Sequence, residues 1–356
     1  MRKWISLVLS IFSIHFAYAF QTLLYVDERA AKNSSEVASV LSQLQANQNK
    51  ITILAASVYA VDETGKISGG LAKPLAKWAA QAQIKMMPVL VNKEFNSTLL
   101  GKFLANPIAQ EHTIKKILAI CEKHHYYGLQ LDFENFPSDD KDQYAAFVVA
   151  LAEKMHAQHF VLSVTVQPPS VTENMPKPDA QWFLKNSPWG YDYAKLAQAC
   201  DFITVMAYDD HNSETTPGAI APANWVRAVI KSLLTVIPAE KFSLGVPVYS
   251  GHWRSGGEEE GYHSYRQALT YANAENLLKQ YNVTAQWQAQ AKVNYAVFEH
   301  DYMNEYVFIE DAAAFRAKYD LAKQYHLRGI SIWQLGFEDP QIWPILPSST
   351  SKIKAA

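Results

Sequence analysis

The sequence has few cysteines and no excess of basic residues. Only Cys121 and Cys200 are present among 356 residues, which excludes a disulfide scaffold, a CxxC pair and a zinc cage of thiolates. One disulfide or two thiols both stay possible, and two buried free thiols are favoured. Lysine and arginine number 32 against 34 aspartates and glutamates, so no basic field exists to bind nucleic acid or an anionic membrane surface.

Long apolar runs are also scarce, and the one of note lies at the start of the chain. Residues 1–3 are a basic beginning, residues 4–16 are apolar, and residues 17–19 fit the small-x-small cleavage rule. This pattern predicts a signal peptide over residues 1–19 and a secreted or periplasmic mature chain that begins near Phe20. A membrane anchor is the alternative, but the run is shorter than the ~20 residues of a spanning helix. No later segment is long enough to span a membrane.

Short β-branched runs alternate with longer helical stretches, the pattern of parallel strands joined by crossover helices. The candidate strands are residues 22–26, 51–59, 84–91, 127–134, 160–167, 202–208, 242–249 and 329–335. Helical spacing marks residues 35–46, 113–124, 141–157, 225–236 and 311–325. These β-then-α units predict a (β/α)8 TIM barrel. A doubly wound open sheet is the alternative, but no GxGxxG or GxxxxGK turn follows an early strand.

The regular spacing stops after the seventh candidate strand. Residues 250–310 intervene before the last helix and strand, which is too long for a βα loop. They contain a helical piece at 274–281 and strand-like pieces at 285–288, 294–299 and 305–309, so a small α+β insertion is expected at the face that carries a barrel's active site. The barrel is expected over residues 20–346 and a disordered polar tail over 347–356.

Two acids, Asp132 and Glu134, close the fourth candidate strand. Because side chains alternate along a strand, Gln130 and these acids share one face, and the apolar residues between them share the other. The apolar face must meet the helices, so the carboxyls lie in the barrel mouth, where burial and repulsion keep one of them protonated near neutral pH. Such a pair suits glycosidic cleavage. A chance D-x-E is the alternative, although charge on the core-facing side of a strand is usually functional.

Residues 127–134, Tyr-Gly-Leu-Gln-Leu-Asp-Phe-Glu, resemble the D-G-x-D-x-D-x-E signature of glycoside hydrolase family 18, the chitinase-like enzymes. Residues 206–209, Met-Ala-Tyr-Asp, resemble the family's M-x-Y-D, and Trp333 resembles the tryptophan that ends its eighth strand. Residues 217–222, 244–249 and 309–311 resemble the bacterial branch that includes spore-germination N-acetylglucosaminidases. Together these matches run through nearly the whole mature chain.

The resemblance implies retaining hydrolysis of β-linked N-acetylglucosamine glycans, in which the acetamido oxygen of the sugar attacks its own anomeric carbon. It assigns Glu134 as general acid and then base, Asp132 as the group that orients the acetamido group, and Tyr208 as a hydrogen-bond partner of the acetamido carbonyl. Trp333 would form the apolar floor under the reacting sugar. Asp209 would bind sugar hydroxyls or support the site. No metal or other cofactor is implied.

Other candidate sugar-binding residues follow the ends of predicted strands, where aromatic rings stack on pyranose faces and amides bridge hydroxyls. Core or loop packing is the alternative for each. They are Gln130, Met206, Tyr59, Asn92, Gln167, Tyr249 and Trp253, with Trp182 and Trp189 in the loop after the fifth strand. His124-His125 is interpreted as a helix end rather than a metal pair, and residues 258–260, three glutamates, as a solvated loop.

The sequence departs from the family signature at two positions. Tyr127 stands where the first Asp is usual, and Gln130 where the middle Asp is usual. A middle Asp can share a proton with Asp132, whereas Gln130 only donates or accepts hydrogen bonds. We therefore expect Asp132 to stay ionised through the catalytic cycle and to pair more strongly with Glu134.

The sequence thus predicts a monomeric, secreted or periplasmic glycosidase that acts on chitin fragments or peptidoglycan strands. A catalytically silent, lectin-like barrel is the alternative from another functional class, and an endoglycosidase of N-glycans is a third. Residues 168–188 and 250–310 are expected to wall the groove and to decide both the substrate and exo or endo action.

Overall fold

Parallel strands form a closed barrel in the computed structural model, which describes residues 20–27, 31, 37–186, 189–256 and 263–348. The strands of the molecule are β1 (Gln21–Val26), β2 (Ile53–Val61), β3 (Ile67–Gly69), β4 (Lys85–Met86), β5 (Val89–Asn92), β6 (Gly128–Asp132), β7 (Val161–Val166), β8 (Phe202–Val205), β9 (Phe242–Pro247), β10 (Ser250–Gly256), β11 (His263–Leu269), β12 (Gln286–Gln288), β13 (Val293–His300), β14 (Met303–Ile309) and β15 (Gly329–Trp333).

The barrel order is β1-β15-β9-β8-β7-β6-β5-β2, and β2 pairs again with β1. All of these pairings are parallel. The predicted (β/α)8 TIM barrel is therefore confirmed. The predicted signal peptide, the three glutamates at 258–260 and residues 349–356 of the predicted tail lie outside the described residues.

Helices follow the barrel strands and cover the barrel's outer face, except the helix at Tyr271–Gln280, which packs on a second sheet. They are α1 (Val37–Asn47), α2 (Lys73–Gln81), α3 (Ser97–Leu104), α4 (Pro107–His124), α5 (Lys141–His156), α6 (Lys177–Lys185), α7 (Tyr193–Ala199), α8 (Ala223–Leu233), α9 (Tyr271–Gln280) and α10 (Ala312–Gln324). Helix α4 begins six residues before the predicted start at 113. The Asn106 side chain accepts a hydrogen bond from the Ala109 amide at 3.1 Å, and Pro107 takes the first turn; this capping signal outweighs the weak apolar spacing that follows it.

The barrel interior is lined by side chains from alternate positions of the strands. One group is apolar and includes Leu23, Tyr25, Ile53, Ala55, Met87, Val89 and Phe202. A second group is buried and polar: Gln130, Ser163, Thr165, Thr204, Ser243 and Ser331. On β6 the intervening residues Leu129 and Leu131 belong to the large core between strands and helices, as strand alternation predicts.

Strand bounds differ from the prediction mainly at the barrel mouth. Strand β6 ends at Asp132 and β8 at Val205, so Glu134 and Tyr208 lie just beyond the strands. The single strand predicted at 84–91 is divided into β4 and β5, with Pro88 between them. Proline has no N–H for the strand ladder, which accounts for the interruption.

Residues between β9 and α10 form a second, antiparallel sheet with the order β11-β10-β14-β13-β12. Helix α9 covers one face through a small apolar cluster that includes Leu269, Leu278 and Val307. The other face packs on the barrel through Trp253, Ile220 and Phe308. The sequence predicts strands near β12, β13 and β14 but not β10 and β11, whose residues show little apolar alternation.

Candidate active site

A cleft of about 610 Å³ opens at the carboxyl ends of β6, β7 and β8. Because these strands are parallel and adjacent, the residues that follow them meet at one mouth. The cleft is lined by Glu134, Gln167, Met206, Tyr208, Asp209, Asp210, Trp189, Arg266, residues 168–172 and neighbouring side chains. A hollow of about 240 Å³ beside it shares Tyr208, Asp209 and Arg266 and adds Tyr249 and Trp333. Both regions expected to wall the groove thus contribute to it.

The two predicted carboxyls lie together at the end of β6. Asp132 is buried, and the Thr165 hydroxyl donates to its Oδ1. Glu134 is half-buried, and Gln167 Nε2 donates to its Oε2 at 3.0 Å. Burial raises the pKa of Asp132, which the Thr165 hydrogen bond lowers in part. Burial and the charge of Asp132 raise the pKa of Glu134, so Glu134 holds its proton while Asp132 is ionised.

Asn92 fixes the backbone at Glu134. Its Nδ2 donates to the Glu134 carbonyl at 3.1 Å, and its Oδ1 accepts from the Glu134 amide at 2.9 Å. The next residue, Asn135, has φ of 60°, a left-handed conformation that asparagine tolerates better than most residues. Asn92 therefore acts on the main chain that carries the acid, and its amide is already satisfied.

Gln130 lies fully buried below the cleft. Tyr25 donates from its hydroxyl to Gln130 Oε1 at 2.6 Å. Gln130 Nε2 donates to Ser163 Oγ at 3.0 Å and lies 3.2 Å from Thr204 Oγ1. These partners occupy the amide inside the barrel, so Gln130 supports the strand end beneath Asp132 and is not among the residues that line the cleft.

Tyr208 and Met206 line the cleft as the M-x-Y-D resemblance implies. Burial raises the pKa of Tyr208 well above its usual value, so its hydroxyl stays a hydrogen-bond donor. The Tyr208 ring meets the Tyr249 ring edge-on with centroids 6.3 Å apart. Asp209, with φ of 61°, accepts hydrogen bonds at Oδ1 from the Tyr249 hydroxyl at 2.7 Å and from Arg266 Nη2 at 2.6 Å.

Arg266 is the principal site residue that the sequence analysis missed. It comes from β11, and its guanidinium lies 5.7 Å from the ring centroids of both Tyr249 and Trp253. In the sheet, Arg266 pairs directly with Trp253 of β10. Predicting Arg266 at the site would have required that cross-strand register, because no motif surrounds this residue in its polar segment of the sequence.

The predicted tryptophans divide between the cleft and the rest of the molecule. Trp333 ends β15, lines the hollow beside the cleft and meets the Tyr25 ring edge-on with centroids 5.2 Å apart. Trp189 lines the cleft. Trp182 lies on α6, is 58% exposed and is not among the residues that line the cleft. Trp253 is 0% exposed and packs edge-on against Phe308, so its ring is enclosed between the second sheet and the barrel.

The structure places Tyr59 on the helix side of the barrel wall, away from the cleft. Its hydroxyl lies 3.2 Å from the Tyr126 hydroxyl, and its ring belongs to the main core. Strand β2 has a register shift between Ser57 and Tyr59 relative to β5. A bulge inserts one residue and so reverses the alternation of the side chains that follow, which turns Tyr59 outward.

The two adjacent histidines of the sequence lie at a helix end. His124 ends α4, and His125 follows it in the left-handed conformation of a helix cap. Within the described residues, no group of three or more His, Cys, Asp and Glu side chains could hold a metal ion. Across the same part of the chain, no helix combines the length and apolar character needed to cross a membrane. Both cysteines are free and buried.

Comparison with known proteins places this site in context. Residues 21–338 match the family model of glycosyl hydrolases family 18. The chain is 23% identical to the uncharacterized glycosylase YvbX of Bacillus subtilis (strain 168), over 98% of this chain and 100% of that protein. It is 29% identical to the cortical fragment-lytic enzyme of the same strain, over 76% of this chain and 61% of that enzyme.

The fold is shared with solved structures. The spore cortex-lytic enzyme SleL of Bacillus megaterium QM B1551 aligns with a TM-score of 0.78 at 23% identity, over 92% of this chain and 73% of that one.

Proposed function

The chain belongs to family 18 of the glycosyl hydrolases, and we propose that it hydrolyses β-linked N-acetylglucosamine glycans with retention, by a substrate-assisted mechanism. One observation carries this proposal. The carboxyl of Glu134 faces the cleft with a raised pKa, and the buried Asp132 stands two residues before it on the same strand end. Family membership supports glycosidase chemistry. In this pair, Glu134 is the proposed acid and Asp132 the proposed negative charge.

In the first step, protonated Glu134 gives its proton to the glycosidic oxygen, and the bond from this oxygen to the anomeric carbon breaks. The acetamido carbonyl oxygen of the same sugar forms a new bond to the anomeric carbon, which yields an oxazolinium ion and a free sugar alcohol. Ionised Asp132 accepts a hydrogen bond from the acetamido N–H and stabilises the positive charge. The Tyr208 hydroxyl donates to the acetamido oxygen and positions it.

In the second step, the Glu134 carboxylate takes a proton from water, and the water oxygen attacks the anomeric carbon. The oxazolinium ring opens and the acetamido group is restored. Two inversions at the same carbon retain the β configuration. Proton NMR of the first product formed from a chito-oligosaccharide measures this outcome, and an α-anomer as first product would refute the substrate-assisted route.

Hydrolysis of a fluorogenic N,N′-diacetylchitobioside tests the activity. Glu134→Gln should lower kcat by about a hundredfold to ten-thousandfold, because the general acid is lost. Glu122→Gln, an exposed glutamate on α4, is the matched control and should leave kcat unchanged. If the wild type turns over neither this substrate, longer chito-oligomers nor muropeptides but still binds them, the protein is a lectin-like barrel.

The substrate is proposed to be a chitin fragment or a peptidoglycan strand. The chitinase-like signature supports the first, and similarity to a cortical fragment-lytic enzyme supports the second. Parallel kcat/KM measurements on chitotetraose and on purified peptidoglycan strands rank them. Release of N-glycans from a glycoprotein, with neither of these substrates cleaved, would favour the endoglycosidase instead.

We also propose that the protein is exported and acts as a monomer. The basic and apolar character of residues 1–19 supports export. Strand β1 begins at Gln21, and the ring of Phe20 packs on Tyr319 with centroids 5.2 Å apart, so the first residues of the predicted mature chain already contribute to the fold. Mass spectrometry of the exported protein should find Phe20 at its N-terminus, and light scattering should give the mass of one chain.

A further inference from the structure

A second cavity of about 250 Å³ lies beside the catalytic cleft; we call it the side slot. Val171 and Thr172 line both spaces. Val171 is the fourth residue after Gln167, which is hydrogen-bonded to Glu134; four residues of extended chain reach at most about 14 Å. The side slot is therefore within reach of a substituent on a sugar bound at or next to the reacting position.

The walls of the side slot are mainly small and apolar. Met175, Ala180 and Leu184 form one side, and Ala228 of α8 contributes to the other. The segment before α6 is held to α8 because Glu173 Oε1 pairs with Arg227 Nη1 at 2.5 Å. Such a slot fits a branch with short side chains, not a further sugar, because it offers no aromatic ring for stacking.

The rim of the side slot is positively charged. Lys177 and Lys231 line it, and neither ammonium has a carboxylate within salt-bridge distance in the part of the chain that the structure describes. Glu173 is the single acidic residue in the lining, and Arg227 neutralises it. The chain as a whole has a formal net charge of −2, so this pair of cations lies on a molecule that is slightly acidic overall.

The catalytic cleft has the opposite character. Its lining includes Glu134, Asp209 and Asp210, with Arg266 as its cation. Neutral sugars suit the cleft, whereas carboxylates suit the side slot. The slot also shares Gln181 and Leu184 with a hollow of about 430 Å³, whose charged lining residues are Lys141, Lys185 and Asp192.

Resting on the proposed function, we propose that the side slot binds an acidic peptide branch of the glycan. Peptidoglycan carries such a branch on the lactyl group of N-acetylmuramic acid, and chitin has none. Methyl groups of the lactyl and alanine units would contact the apolar walls, and peptide carboxylates would reach Lys177 and Lys231. The preferred substrate is then a peptide-bearing peptidoglycan strand.

The test compares kcat/KM on three substrates. The first is a tetrasaccharide of alternating N-acetylglucosamine and N-acetylmuramic acid that carries L-Ala-D-Glu, the second is the same molecule with the peptide carboxylates converted to amides, and the third is chitotetraose. The wild type should prefer the acidic form over the amide form, and added salt should reduce the preference. Lys177→Gln/Lys231→Gln should lower kcat/KM on the acidic form about fivefold to tenfold and leave chitotetraose unchanged.

Lys102→Gln/Lys116→Gln is the matched control, since it removes two exposed lysines of α3 and α4. Equal kcat/KM for the acidic and amide forms, or a preference that survives in the Lys177/Lys231 variant, would overturn the slot while leaving the glycosidase intact. If none of the three substrates is hydrolysed, the proposed function fails by itself. Calorimetric titration of the wild type with the acidic and amide forms then tests whether the side slot binds the peptide carboxylates, and equal affinities for the two forms would refute the proposal.

Discussion

The carboxyls of Asp132 and Glu134 differ because their surroundings differ. Each accepts one hydrogen bond that favours its ionised form, from Thr165 and Gln167 respectively. Glu134 also lies in the negative field of two other acids, Asp132 and Asp209, which raises its pKa further. As pH rises the pair loses its first proton mainly from Asp132. Activity that needs Asp132 charged and Glu134 protonated is greatest between the two ionisations.

Removing the Thr165 hydroxyl should move the acidic limb of kcat/KM to higher pH. The hydrogen bond lowers the pKa of Asp132, so its loss in Thr165→Val raises that pKa, and Asp132 becomes protonated at a higher pH than in the wild type. A shift of about one pH unit is expected. Thr165→Ser keeps a hydroxyl and should keep the wild-type limb. An unchanged acidic limb in the valine variant would show that Asp132 does not control it.

A carboxyl in place of Gln130 should also move the acidic limb of the pH–rate profile to higher pH. Gln130→Asp puts a second buried acid below Asp132, as in the usual family signature, and a like charge raises the pKa of its neighbour. The acidic limb of the pH–rate profile should therefore move upward. Gln130→Asn, which stays neutral, is the control. Identical acidic limbs in wild type and Gln130→Asp would contradict our view that Gln130 keeps Asp132 ionised.

Side chains at the site were predictable where the signal was local. Strand alternation predicts that Gln130 and Asp132 point into the barrel and that Leu131 points toward the helices. The structure shows these orientations, because β6 is a regular strand. Tyr59 follows a bulge in β2, and no sequence feature announces the extra residue. Tyr59 was a candidate because it ends the second predicted strand, but the bulge turns its side chain to the helix side.

At the scale of elements, the second sheet contributes a site residue that lies far along the sequence from the other site residues. Strand β11 carries Arg266 to Asp209, which follows β8. The aromatic character of β13 and β14 predicts strands locally. Strands β10 and β11 show little alternation of apolar and polar residues, so the sequence does not reveal which of their residues pair. Arg266 was therefore not assigned to the site from the sequence.

A buried ion pair joins β14 to α10. Lys318 Nζ lies 2.6 Å from Glu310 Oε2, and both side chains are 1% exposed. Lys318→Met would leave the Glu310 carboxylate buried without its partner and should lower the free energy of unfolding by about 3–5 kcal/mol, measured by urea denaturation. Glu310→Gln/Lys318→Met should recover much of this loss. A double variant no more stable than the single one would refute the electrostatic explanation.

The loss of stability in Lys318→Met should depend on pH. Burial raises the pKa of Glu310, and the Lys318 charge lowers it. Without Lys318, the folded-state pKa lies further above the unfolded value, so the folded state binds more protons and stability falls as pH rises through the range between the two values. The deficit of Lys318→Met relative to wild type should therefore shrink at acidic pH.

At the scale of the whole molecule, the barrel follows from the count and order of its units. Closure joins β1 to β15, with Gln21 paired to Gly329, and eight βα units predict it even though no local signal links those segments. The helices α6 and α7, in the long connection after β7, were not predicted individually. The side slot forms where α6 packs against α8, so it depends on how distant helices meet and not on any one of them.

The two thiols report on the integrity of this whole assembly. Cys121 on α4 and Cys200 before β8 are free, buried and part of the same core. Burial raises the pKa of Cys121 to about 12 and raises that of Cys200 as well, so little thiolate forms near neutral pH. We expect no reaction of the native protein with a thiol reagent such as Ellman's, and reaction of both cysteines in guanidinium chloride. Because the same core encloses both, their labelling rates in the native state should be equal and set by unfolding; fast labelling of one thiol alone would reveal a local opening instead.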